Sequence, residues 1–125
     1  MTEYHSTLRR LAVRDDKLIR RALSSDRSNL SVSRLDPKTY AFVRLSAMIA
    51  VGASEHTLRP VVEAAQEAGA TPEEVVGTLL AVMPVTGVPR TVAAAPAIGL
   101  AIGYDVLDAL ELPDEIDVPT PKEPR

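Results

Sequence analysis

Cysteine and tryptophan are absent from this chain of 125 residues, and histidine occurs only twice. Without cysteine there is no disulfide framework, no thiolate nucleophile and no sulfur ligand for zinc, and a reducing compartment is the natural expectation. His5 and His56 share no metal-ligand spacing, so no metal site is expected. Aromatic residues make up 3% of the chain, which leaves a core of Ala, Val, Leu and Ile and little on which nucleic-acid bases could stack. Nucleic acid is therefore not an expected partner. Long apolar runs are missing too. The stretch 75–89 is uncharged, but Pro84, Gly87 and Pro89 interrupt it and Arg90 ends it, short of the roughly 18–20 residues that span a bilayer. That stretch is expected to be buried in protein, with no membrane partner. The first thirty residues carry charges throughout and form no apolar leader, so the expected location is the cytoplasm. No run of alternating apolar residues reads as a β-strand, which makes the expected fold all-α.

What the chain does contain is enough for one core: 46% hydrophobic and 25% charged residues. The net charge of −3 is unevenly spread. Residues 1–35 hold eight Lys or Arg against four Asp or Glu, whereas residues 104–125 hold two against seven. Both ends read as solvated faces, with attraction between a basic amino-terminal helix and an acidic tail as the sharper alternative.

Helix signals recur along the chain. Thr7–Leu23 reads as a basic amphipathic helix with Leu8, Leu11, Leu18, Ile19 and Leu23 among six Arg and Lys, followed by a polar linker at Ser24–Asn29. Its cations could meet phosphate or anionic lipid, but acidic neighbours favour a solvated face. Asp36-Pro37 starts a helix, since the carboxylate accepts from free first-turn N–H groups and proline there loses no bond; Gly52 ends it. The next helix runs to Ala68, and Pro60 pushes its expected cap toward His56 or Thr57. Thr71-Pro72-Glu73-Glu74 has the form of a capping box and predicts a helix to about Val82. Arg90–Leu110 reads as one long helix with a kink, and Pro96, Gly99 and Gly103 predict a bend or break between Val92 and Tyr104. Ala93–Ala101 offers small side chains that suit close helix packing or a subunit contact, and prolines from Pro113 onward predict an extended or disordered tail.

The order of Leu35-Asp36-Pro37-Lys38-Thr39, Ala47–Gly52, Ala64–Gly69, Thr71–Val76 and Gly87-Val88-Pro89 resembles the carboxymuconolactone decarboxylase family, which includes the alkylhydroperoxidase D proteins. The resemblance covers about residues 35–105. It implies an alkylhydroperoxidase D-like helical core over 35–112, preceded by an added amino-terminal helix and linker over 1–34 and followed by a tail over 113–125. It also implies rings of three or six copies. Redox members carry Cys-x-x-Cys-x-x-x-His with a Glu upstream. Anchored on Gly69, those positions are Ser54, Thr57, Val61 and Phe42 here, so all four are replaced. Hydroxyls are not ionised near neutral pH and form no disulfide, so thiol-based hydroperoxide reduction is expected to be absent.

The remaining polar cluster is Ser54-Glu55-His56-Thr57. His56 is a candidate proton carrier tunable by Glu55, and Arg44 or Arg90, lone cations in apolar stretches, are candidates to hold a carboxylate. Phe42, Ser54, Thr57 and Val61 would line that site. Two readings follow: a lyase needing no cofactor that acts on a small organic acid, or a non-catalytic ligand-binding or assembly module. An inward-facing His56 beside an Arg favours the first; an apolar interior favours the second.

Overall fold

A computed structural model describes residues 3–111, so the proline-rich tail lies outside the described residues. The fold is all-α: eight helices and, among the described residues, no strand. They are α1 (Glu3–Ala12), α2 (Asp16–Ser24), α3 (Asp26–Ser33), α4 (Pro37–Val51), α5 (Glu55–Glu67), α6 (Pro72–Thr86), α7 (Val88–Ala101) and α8 (Val106–Ala109). Two compact units divide the chain, Met1–Tyr40 and Ala41–Arg125.

In the first unit the single helix expected over Thr7–Leu23 is broken at 13–15. Arg14 adopts φ 59°, and Asp15 caps the new helix by accepting from the Leu18 N–H at 3.1 Å. The second Asp15 oxygen accepts from Arg10 Nε at 3.3 Å. The bond to the Leu18 N–H, then that to Arg10, holds the Asp15 carboxyl below the usual carboxylate range. The linker expected at Ser24–Asn29 is also corrected, because α3 begins within it. Ser25 caps α3, Ser28 Oγ donates to the Arg21 carbonyl at 2.6 Å, and Asn29 Nδ2 donates to the Ala22 carbonyl at 2.7 Å. These polar side chains bond backward to α2, which lets the chain turn straight into another helix.

The second unit contains the apolar core. Ala41, Leu45 and Ile49 of α4 pack with Leu58, Val62 and Ala65 of α5, Val75 and Leu79 of α6, and Ala94 and Ile98 of α7. Helix α4 ends as expected: Gly52 takes φ 74°, and the N–H groups of Gly52 and Ala53 donate to the Ile49 and Met48 carbonyls at 3.1 and 2.9 Å. Helix α5 starts earlier than its proline suggests. Ser54 is the cap and Pro60 sits inside the helix on an exposed face, where water can reach the carbonyl left without its helical donor. The capping box of α6 is complete, with Glu74 N–H to Thr71 Oγ1 at 3.1 Å and Thr71 N–H to Glu74 Oε1 at 3.0 Å. This helix continues to Thr86, past the expected end, since Pro84 lies on an exposed face in its last turn.

The helical stretch expected over Arg90–Leu110 begins at Val88 and is broken after Ala101, inside the interval where a bend or break is expected. The chain turns through Gly103 at φ 95°, and Tyr104 N–H donates back to the Gly99 carbonyl at 2.7 Å. Gly99 is required by this close return: a Cβ there would stand 2.7 Å from Val106 Cγ2 and 2.8 Å from the Tyr104 carbonyl. Pro96, by contrast, is accommodated within α7.

Candidate functional site

The connection from α4 to α5 brings most of the candidate residues to one corner of the second unit. Ser54 is fully occupied with local bonding: its Oγ accepts from the Thr57 N–H at 3.3 Å and lies 3.2 Å from Thr57 Oγ1. Both hydroxyls are exposed. Glu55 turns along the helix to Arg59 rather than toward His56, and that contact raises the guanidinium pKa by favouring its charged form. Arg59 is absent from the sequence-based candidates, although its spacing of four residues from Glu55 is the helical signal for such a pair. His56, in the first turn of α5, is exposed to solvent.

Arg90 is the candidate that the fold moves furthest. It lies in the first turn of α7, yet its guanidinium rests directly against Gly52, on the α-carbon side where any other residue would carry a side chain. The cation therefore stands at the residue that follows α4, two positions along the chain before the Ser54 cap. A guanidinium suits that end of a helix because the carbonyl ends of the peptide dipoles converge there. Arg44, on α4, is half-buried and engaged in an interaction of its own.

Phe42 and Val61 have a different environment. Both are half-buried and pack against the apolar core formed by α4–α7. Neither side chain can carry a proton. A separate, open apolar depression lies on the outer side of α6, lined by Pro72, Glu73, Val76, Gly77 and Leu80, and contains none of the candidate residues.

A model of the carboxymuconolactone decarboxylase family matches residues 19–98, from within α2 to near the end of α7. The chain belongs to the carboxymuconolactone decarboxylase family. No curated protein and no solved structure shows a significant match to it. Because this family member has no cysteine, it holds no thiol pair for the redox chemistry known in part of the family. Among the described residues no helix is long and apolar enough to cross a membrane.

Proposed function

We propose that this carboxymuconolactone decarboxylase-like protein acts as a homo-oligomer, a trimer or hexamer, that binds a ligand or organises an assembly without thiol peroxidase chemistry. One observation carries the reading: α4, α6 and α7 are apolar on their outer as well as their inner faces. On α4 the core-facing Ala41, Leu45 and Ile49 are matched by exposed Val43, Ala47, Ala50 and Val51. Val76, Leu80 and Val85 on α6 and Val88 and Val92 on α7 are also exposed. A helix that is apolar all round belongs inside a protein, and contact with another copy supplies the missing cover. The packing of Phe42 and Val61 on the core supports a non-catalytic interior. Sedimentation of the wild-type chain is expected to show a single species of three or six copies, and V43E/V51E to shift it toward smaller ones. A wild-type monomer at micromolar concentration would refute the assembly.

The second reading is favoured by the Arg90 contact. A guanidinium against Gly52, at the head of the connection that carries exposed Ser54, His56 and Thr57, would meet the carboxylate of a small organic acid, with His56 moving a proton in a lyase reaction that needs no cofactor. Titration of small carboxylic acids separates the cases. Product formation that H56Q abolishes supports a lyase, binding without turnover that R90M weakens supports a ligand module, and no binding leaves assembly alone.

A further inference from the structure

The first unit carries an amphipathic helix turned with its apolar side outward. On α1, the partly buried positions are the polar Ser6, Thr7 and Arg10, while Tyr4, Leu8 and Leu11, which share one helical face, are between 53% and 63% exposed. The adjoining turn presents Val13 at 75% exposure. Leu18 is the one buried large apolar residue among the described residues of this unit, with Ile19, Leu30 and Val32 partly buried, while the stripe of Tyr4, Leu8, Leu11 and Val13 lies outside that packing.

Charge is placed beside that stripe. Arg9 on α1 and Arg14 in the turn are exposed, and Lys17, Arg20 and Arg21 lie on the exposed face of α2. None of these five appears in an ion pair among the described residues, whereas Arg10 pairs with Asp15 and Arg34 with Glu3. Residues 1–40 contain nine Lys or Arg and five Asp or Glu. A duplex or single strand of nucleic acid would use the cations but leave the aliphatic stripe in water. An anionic bilayer uses both, since lipid phosphates meet the cations while the boundary with the acyl chains accepts Tyr and Leu side chains. Lying in that boundary needs no spanning length, so the short helices are no obstacle.

We propose that α1 and the turn at 13–15 form a docking surface for an anionic phospholipid bilayer, with Tyr4, Leu8, Leu11 and Val13 entering the interface and Arg9 and Arg14 contacting headgroup phosphates. Lys17, Arg20 and Arg21 supply the positive field that draws the unit to the surface. The test is flotation of the full chain with vesicles of phosphatidylcholine alone or mixed with phosphatidylglycerol. Partition into the anionic vesicles is expected to be at least about tenfold greater, and to weaken as salt is raised. L8E/L11E should lower it about tenfold or more, and R9E/R14E likewise, with helical circular dichroism unchanged because all four positions are exposed. Placing a fluorophore at the stripe with Y4W should give a blue-shifted emission on binding. Equal partition into both vesicle types overturns the proposal. So does DNA binding that L8E/L11E leaves intact, or a fall in oligomer mass in L8E/L11E without vesicle binding by the wild type, which would make a second copy the occupant.

Discussion

Gly52 and Arg90 show how one residue without a side chain can position another. Gly52 holds φ 74°, a left-handed conformation that costs an alanine about 1 kcal/mol, and the Arg90 guanidinium fills the space that a Cβ would need. G52A is therefore expected to lower unfolding stability by about 1–2 kcal/mol, combining backbone strain with displacement of the guanidinium. The two parts separate in a double-mutant cycle read by urea denaturation. In an R90A background the G52A cost should shrink toward the backbone part alone. An identical cost in both backgrounds would show that Arg90 does not rest on Gly52 in solution, and would remove the support that this contact gives to a carboxylate site.

At the scale of elements, two helix starts depend on ionised caps. Asp15 is held below the usual carboxylate range chiefly by the Leu18 N–H and then by Arg10, and Asp36 chiefly by the Thr39 N–H and then the Thr39 hydroxyl. A carboxyl whose pKa is lowered on folding stabilises the native state above its unfolded value, about 3.9, and that contribution is lost as pH falls through the lower folded value. Melting temperature should therefore decline below about pH 4. D15N, which retains a capping oxygen but cannot titrate, should show a shallower decline; a decline as steep as the wild type's would mean that Asp15 plays no part. These caps also mark what was legible in the sequence. Asp36-Pro37 and Thr71-Pro72-Glu73-Glu74 announced α4 and α6 because their signals are complete within four residues. The break at Arg14 was not legible, since a non-glycine residue takes the left-handed conformation there. Nor was α3, whose Ser28 and Asn29 act through bonds to the preceding helix rather than through propensity. In the candidate site, the apolar character of Phe42 and Val61 could be read locally, whereas the Ser54 cap could not, because Pro60 pointed to a later start and the helix instead carries that proline on an exposed face. The seat of Arg90 could not, because it joins positions far apart in the chain.

At the scale of the whole molecule, the proposed assembly would tie stability to the distribution of apolar surface. Val43 and Val51 on α4, Leu80 and Val85 on α6, and Val92 on α7 all lie between 53% and 86% exposed in the isolated chain. Covering such residues in a subunit contact stabilises the folded state by about 25 cal/mol for each Å² of apolar surface removed from water. A contact of this kind stabilises the folded chain but not the unfolded one, so its effect follows mass action. The melting temperature of the wild-type protein is thus expected to rise by several degrees as its concentration is raised about a hundredfold through the micromolar range. L80E/V85E places two carboxylates on exposed positions, where the isolated fold can tolerate them, but where a dry contact between copies cannot. The variant should be smaller by light scattering, melt lower than the wild type at high concentration, and lose the concentration dependence. If the wild-type melting temperature were independent of concentration and L80E/V85E left the mass unchanged, the outer face of α6 would not lie between copies. A drop in mass with helical content retained would place it there, and would distinguish a lost contact from a lost fold.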